Sequence, residues 1–255
     1  MKRFSILLVL LTICSTAAIL SGCTCKGCLG SEEHLWAAPC CEIRLGMTES
    51  MDVTGSRQYS AVAVDPDIAT AAVDEQGGIT VTGRSKGTTT ITVTDLVYNQ
   101  SAEIAIEVTD FYFCLFISGG TDDDKTIIRR NDELFLRHTA ACEYALMRGK
   151  SEPTLGQFTD YELLQEGRYA LTADGDAIWL SLTRTGESPV LFNLSSTETE
   201  SLDLFRALLR DGAAAIPEDA QAKHYLRMKE MLSGETFQCR LAVEISWPKD
   251  MQEAK

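Results

Sequence analysis

Hydrophobic and polar residues alternate over much of the first half of the chain, and this pattern predicts half-buried β-strands. At residues 79–81, 91–93 and 102–108, isoleucine or valine alternates with threonine, alanine or glutamate. Residues 62–64 show valines alternating with alanine in the same way. Glycines separate these segments at short intervals, as turns between strands do. Residues 42–109 are therefore expected to form a β-sandwich of short strands.

The second half of the chain combines strand patterns with helical patterns. The predicted strands are residues 111–117, 168–173, 177–183, 190–194 and 237–247. The predicted helices are residues 131–148, 197–212 and 217–233. Asn131, the Thr197 and Glu200 capping box, and Pro217 begin these helices, and a glycine follows or ends each one. Residues 110–250 are therefore expected to form an α+β domain, in which helices pack on an antiparallel sheet.

The first 22 residues have the pattern of an export signal. Lys2 and Arg3 precede a mostly apolar run that is short for a transmembrane helix. The sequence Leu-Ser-Gly-Cys at residues 20–23 then resembles the lipobox of bacterial lipoproteins. That resemblance implies cleavage before Cys23 and attachment of lipid to its thiol, and two or three acyl chains give stable anchoring. We expect an exported protein, lipid-anchored to the cell envelope, and to the outer membrane if the host is Gram-negative.

Three sequence blocks inside residues 42–109 carry a second resemblance. Residues 67–74 read DIATAAVD, residues 78–83 read GITVTG and residues 86–94 read KGTTTITVT. In this order and spacing, they resemble the bacterial Ig-like domain, group 2. The resemblance covers roughly a quarter of the chain. It implies an Ig-like sandwich that acts as a spacer or adhesive unit on bacterial surfaces and has no catalytic residues. Residues 110–250 carry no such resemblance.

The net charge narrows the range of possible partners. The chain has 255 residues, enough for about two domains, and its formal net charge is −14. An acidic surface repels nucleic acid and anionic lipid, so neither is expected as a direct partner. Cationic peptides, divalent cations and neutral glycans remain possible.

Cysteines supply the candidate covalent chemistry. Of nine cysteines, Cys14 lies in the signal segment and Cys23 is the lipid site. The possible disulfide cysteines are Cys25, Cys28, Cys40, Cys41, Cys114, Cys142 and Cys239. An oxidising compartment permits disulfides, and the odd number leaves at least one thiol free or bonded to another molecule. Four of these cysteines lie in a short tether, residues 23–41, where disulfides are favoured over a zinc site because a vicinal pair fits tetrahedral zinc poorly.

Other motifs lack a feature that their chemistry needs. Residues 119–126 approach a phosphate-binding loop, but Asp124 occupies the position before the lysine that requires glycine. His138 and Cys142 would share one face of a predicted helix, but that face is apolar. No catalytic, cofactor-binding or metal-binding residue is predicted.

These observations favour a non-catalytic envelope lipoprotein, in which the Ig-like module presents a C-terminal domain to a protein or glycan ligand. One alternative is a hydrolase acting on envelope material, with its site in residues 110–250. Another is a membrane-anchored inhibitor or assembly factor that binds its partner through an exposed edge of the C-terminal sheet.

Overall fold

The computed structural model describes residues 34–120, 126–149, 161–217 and 223–247. In these residues, the chain forms two β-rich units in succession, a two-sheet sandwich and a closed barrel of eight strands. Within the same residues, no helix is both long and apolar enough to cross a membrane. The signal segment and most of the tether lie outside this part of the chain.

The sandwich is built from two sheets and a small two-stranded ribbon. Its strands are β1 (Trp36–Ala37), β2 (Cys40–Arg44), β3 (Thr48–Ser50), β4 (Val53–Thr54), β5 (Tyr59–Ala63), β6 (Ala69–Val73), β7 (Ile79–Gly83), β8 (Gly87–Asp95) and β9 (Gln100–Thr109). One sheet has the order β2-β9-β8-β5, the other β3-β7-β6, and β1 pairs with β4. Strand β2 runs parallel to β9, whereas the other pairs are antiparallel.

Alternate residues of β7, β8 and β9 form the sandwich core. The strand predictions for residues 79–81, 91–93 and 102–108 are confirmed, and their isoleucines and valines are buried. Strand β5 is also present, but Val62 and Val64 are 61% and 73% exposed. Tyr59 is buried, and side chains two residues apart on a strand share a face. Ala61 and Ala63 therefore face the core with Tyr59, and Val62 and Val64 do not.

One buried carboxylate, that of Asp95, closes the loops at one end of the sandwich. It accepts hydrogen bonds from the Ser56 backbone N–H and hydroxyl, each at 2.7 Å, and from the N–H groups of Val97 and Tyr98, each at 2.9 Å. Burial alone would raise the pKa of Asp95, but these bonds favour the ionised form and lower it to about 2. An ionised Asp95 therefore holds two loops together.

The prediction of an α+β domain with packed helices is wrong, because residues 110–250 form a barrel. Its strands are β10 (Tyr112–Gly119), β11 (Asp132–Arg137), β12 (Glu143–Gly149), β13 (Tyr161–Asp174), β14 (Ala177–Thr183), β15 (Val190–Asn193), β16 (Tyr225–Glu230) and β17 (Thr236–Ala242). Each strand pairs antiparallel with the next, and β17 pairs with β10. The closed sheet also removes the exposed edge on which the inhibitor hypothesis depended.

The predicted helix at residues 131–148 is instead the β11–β12 hairpin. Asn131 does not cap a helix; its φ of 70° places it in a turn before β11. Leu134 and Leu136 face the barrel interior, while Phe135 lies in a second apolar cluster outside the wall. A strand buried on both faces has no alternating pattern, so its apolar residues also matched a helical spacing.

The predicted helix at residues 217–233 is also wrong, because Tyr225–Glu230 is strand β16. Leu226 and Met228 face the interior and alternate with exposed Arg227 and Lys229. Gly234, with φ of 77°, lies in the turn to β17 rather than at a helix end. Arg227 and Lys229 are compatible with the surface of a helix as well as with that of a strand, and Pro217 upstream favoured the helix prediction.

The third helix is confirmed as α1 (Thr199–Asp211), and a 3-10 turn (Gly212–Ala215) follows it. Its Leu202, Phe205 and Leu208 complete the barrel interior. The expected capping box is absent; the Thr197 hydroxyl instead accepts a hydrogen bond from the Arg227 N–H at 2.9 Å. Side chains of the helix and the strands thus fill the interior, as in other small barrels.

We predict that Asp95→Ala lowers the free energy of unfolding by about 3 kcal/mol at pH 7, because it removes a buried carboxylate that accepts four hydrogen bonds. The stabilisation by ionised Asp95 is present above about pH 4 and is lost as the pH falls towards its folded pKa of about 2. Urea unfolding at several pH values measures both effects.

Asp74→Ala provides a matched control in the same sandwich. Asp74 makes similar bonds to the N–H groups of Gln76 and Gly78, but it is exposed to solvent. We expect its loss to cost about 1 kcal/mol. Equal costs for the two variants would contradict the role assigned to Asp95.

Candidate functional site

The sandwich and the barrel meet around the side chain of Arg44, the last residue of β2. Arg44 is only 5% exposed, and its Nη1 donates to the carbonyl oxygens of Tyr112 at 3.1 Å and Val243 at 2.6 Å. The guanidinium carbon lies 5.0 Å from the centre of the Tyr112 ring, and Nη2 lies 3.7 Å from Glu49. A side chain of the sandwich is therefore bonded to both strands of the barrel's closing pair, at the end where β10 begins and β17 ends.

Residues just after Arg44 continue this junction. Met47 packs against the sandwich core and also against the barrel core. Gly46 has φ of 79°, and a Cβ atom there would lie 2.9 Å from the Ala213 side chain. Lys86 and Asp110 add an exposed ion pair of 2.7 Å beside the junction. Together, these contacts fix the barrel against the sandwich.

An aromatic cluster forms the barrel side of the junction. The chain leaves β17 at Ala242, and Trp247 then packs on the outer wall, 5.7 Å from the Tyr112 ring and 5.0 Å from the Phe135 ring. The backbone N–H of Trp247 donates to the Tyr112 hydroxyl at 2.8 Å. Arg137 lies 4.2 Å over the Trp247 ring. The predicted strand at residues 237–247 is thus shorter than expected, because its end folds back over the wall.

Three adjoining cavities form a continuous groove across the junction. The central cavity, of about 420 Å³, lies between the sandwich and Trp247. A sandwich cavity of about 840 Å³ shares Glu42, Thr88 and Glu107 with it. A barrel cavity of about 270 Å³ shares Arg137 and Trp247 with it. We call the three together the junction groove, and it is the candidate functional site.

Charged side chains of both signs line the junction groove. The carboxylates are those of Glu42, Asp65, Glu107, Asp110, Glu143 and Glu166. The cations are Lys86, Arg137 and Arg168. Carboxylates outnumber cations two to one, so the lining of the groove has a net negative charge. Its arrangement suits binding along a surface rather than enclosure of a small molecule.

A carboxyl group with a raised pKa lies outside the groove. Glu133 on β11 faces the outer cluster, is only 3% exposed, and accepts a hydrogen bond from the Tyr161 hydroxyl at 3.3 Å. Burial raises the pKa of Glu133 to about 7, although the bond from Tyr161 lowers it in part. Its other oxygen has no hydrogen-bond partner among the described residues. Glu133 lines none of the three cavities.

The cysteines that the sequence singled out are dispersed. Cys40 and Cys41 line the sandwich cavity; the Cys40 thiol is free, and the Cys41 thiol donates to the Glu42 carbonyl oxygen at 3.5 Å. Cys114, Cys142 and Cys239 are also free, and burial raises the pKa of Cys114 and of Cys239. Cys114 lies in the outer cluster, whereas Cys239 lies inside the barrel, so the wall separates these two thiols.

The remaining sequence candidates give no joint site in the described residues. Cys23, Cys25 and Cys28 lie outside them, so lipidation and pairing in the tether stay predictions. His138 and Cys142 lie in the turn between β11 and β12 rather than on a helix, and the His138 Nε2 lies 3.0 Å from the Arg210 carbonyl oxygen. No group of three potential metal ligands occurs in the described part of the chain.

Sequence reasoning missed the residues that build the groove. Arg44 carried one weak signal, a charge between the apolar residues Ile43 and Leu45 at a strand end. Trp247 appeared only as the end of an alternating strand. Nothing in the sequence placed these two residues near each other, because their proximity depends on the barrel closing.

Comparison with known proteins finds one family model that matches part of the chain. Residues 42–109 match the family model described as the pilus formation protein N terminal region. The match covers the residues predicted to be Ig-like but names a different family from the one that the sequence blocks resemble. No curated protein matches the chain.

Several solved structures of the S-layer protein SbsC resemble the chain distantly. Domains 4 and 5 match at 20% identity with a TM-score of 0.27, covering 30% of this chain and 51% of that one. Domains 5-6 match at 13% identity with a TM-score of 0.27, covering 82% and 96%. The fragment rSbsC(31-844) matches at 14% identity with a TM-score of 0.29, covering 65% and 23%. The chain spans about half the length of the first of these structures, and similarities with such low TM-scores support no conclusion.

We predict that Arg44→Ala destabilises the junction by about 3 kcal/mol, because it removes the donor to two carbonyl oxygens and the contact with the Tyr112 ring. Thermal unfolding should then separate into two transitions, and protease cleavage near Asp110 should become faster. Lys86→Ala removes only an exposed ion pair and should cost at most about 1 kcal/mol. A single unchanged transition for Arg44→Ala would contradict this role of Arg44.

We also predict that Glu133→Gln removes a pH-dependent loss of stability. Because the folded pKa of about 7 lies above the usual 4.5, the stability of the natural protein falls as the pH rises between these values. The variant should therefore gain about 3 kcal/mol relative to the natural protein between pH 4 and pH 8. Chemical denaturation at both pH values measures this gain, and the exposed Glu162→Gln should show none of it. Parallel pH profiles for Glu133→Gln and the natural protein would refute the assignment.

Proposed function

We propose that this protein is a non-catalytic lipoprotein of the cell envelope, anchored through Cys23. In this proposal, the sandwich is an Ig-like spacer that holds the barrel at a fixed position, and the junction groove binds a protein or glycan ligand. The observation that carries the proposal is the buried bonding of Arg44 to Tyr112 and Val243, which joins the two units beside the junction groove.

The envelope location is supported by two independent features. The signal segment and the lipobox-like residues 20–23 favour export and lipidation. The match of residues 42–109 to a pilus formation protein model supports an exported, envelope-associated structural module. The three blocks at residues 67–94 support the finer assignment, a bacterial Ig-like domain of group 2.

A binding role suits the barrel better than an enclosed active site does. Apolar side chains of the strands and of α1 fill its interior, so the groove on its outer side is the available surface. A hydrolase with paired carboxyl groups needs one whose pKa is raised to act as the acid. Glu133 has such a raised pKa, but it is buried in the outer cluster and does not line the groove.

We predict that Cys23→Ala moves the protein from the membrane fraction to the soluble fraction of its native host, because the thiol that would carry the acyl chains is lost. Fractionation followed by immunoblotting measures the shift, and metabolic labelling with a fatty acid should stop in the same variant. Cys25→Ala is the matched control in the same tether, and it should remain in the membrane fraction. The anchor is refuted if Cys23→Ala stays in the membrane fraction.

A further inference from the structure

The junction groove extends over both units, and we propose that its ligand is an extended, positively charged polypeptide segment. This proposal rests on the proposed binding function and names the ligand chemistry. The three cavities have volumes of about 840, 420 and 270 Å³ and share lining residues. A single compact ligand usually occupies one cavity of about 300–1,000 Å³. A chain of connected cavities fits a strand-like segment, whose successive side chains enter different cavities.

Carboxylates at both ends of the groove supply the charge complementarity. Glu107 borders the sandwich and central cavities, whereas Glu143 and Glu166 border the barrel cavity. All three side chains are exposed, and none forms an ion pair with another described residue. Among the cations, Lys86 is already bound to Asp110, and Arg137 lies over the Trp247 ring. Arg168 lies opposite Glu143 in the pairing of β12 with β13, without an ion pair between the two side chains. Lysine or arginine side chains of a ligand would therefore find unpaired carboxylates at separated points.

The sandwich end of the groove adds an apolar contact. Val64 lines the sandwich cavity and is 73% exposed, and Val62 beside it on β5 is 61% exposed. Thr88 and Thr90 form part of the same wall and provide hydroxyl groups for a ligand backbone. The segment bound here thus combines an apolar residue beside Val64 with basic residues near the carboxylates along the groove.

A neutral glycan fits these features less well. Sugars bind to proteins largely through aromatic faces and neutral polar groups, but the Arg137 guanidinium lies over the Trp247 ring, 4.2 Å from its centre. The other contacts of that ring are with Tyr112 and Phe135. The indole is therefore occupied by protein side chains.

The test uses the full-length chain and three fluorescently labelled probes. The first is a peptide of roughly twelve residues, about 40 Å when extended, with leucines at one end and lysines alternating with serines. The second peptide has glutamates in place of the lysines, and the third probe is an oligosaccharide of N-acetylglucosamine. Both orders of the apolar and basic ends are made, and binding is measured by fluorescence anisotropy.

The key variant combines Glu107→Lys, Glu143→Lys and Glu166→Lys. The matched control combines Glu75→Lys, Asp176→Lys and Glu200→Lys, which are exposed positions outside the groove with the same change in net charge. We expect the lysine peptide to bind and its Kd to rise by about tenfold or more in the groove variant, against about twofold in the control. Val64→Ser should weaken this peptide but not one that lacks the leucines.

Several outcomes would overturn the proposal. They are no binding of the lysine peptide, equal binding of the glutamate peptide, equal weakening in the groove and control variants, or groove-dependent binding of the oligosaccharide alone. Circular dichroism of each variant verifies that it is folded. If the lysine peptide does not bind, the proposed role as a lipid-anchored spacer is unaffected, because the fractionation of Cys23→Ala tests that role separately.

Discussion

The arrangement of the whole molecule depends on one buried guanidinium, that of Arg44. Removing an arginine from water is costly unless its hydrogen bonds and charge are satisfied by the protein. Here two carbonyl oxygens, an aromatic ring and a carboxylate surround it. Lysine could not replace it, because a single ammonium does not stack on a ring while it donates in a fixed plane. The cost of burying this charge is offset only when the sandwich and the barrel are correctly docked, so Arg44 selects one relative orientation.

That orientation forms the junction groove. Arg44 holds Tyr112, the Tyr112 hydroxyl accepts a hydrogen bond from Trp247, and Trp247 supports Arg137. The central cavity of the groove lies between this series of contacts and the sandwich strands around Glu107. Neither unit alone would contain the cavity. A change at Arg44 should therefore affect binding in the groove even though Arg44 itself lines none of the three cavities.

The sequence predicted the sandwich far better than the barrel, and the reason is physical. A strand with one buried face and one solvent-facing face, such as Ile79–Gly83, is recognised in the sequence because apolar and polar residues alternate along it. Strands β11 and β12 pack on the barrel core with one face and on the outer cluster with the other. Their apolar residues are consecutive and do not alternate with polar ones, and together with the polar turn between the strands they matched the spacing of a helix. Strands of a barrel that is covered on its outside are therefore difficult to recognise from the sequence pattern.

The groove was beyond sequence prediction for a different reason. Glu107, Glu143 and Trp247 come from distant parts of the chain, and each has an ordinary local explanation as a solvated or packed residue. Their shared location follows only from the pairing of β17 with β10, which brings the C-terminal segment to the start of the barrel. The closing of the barrel also removes its sheet edges as a means of recruiting partners. In the proposed binding function, side chains on the outside of the molecule recognise the ligand, and the excess of carboxylates in the groove favours a positively charged one.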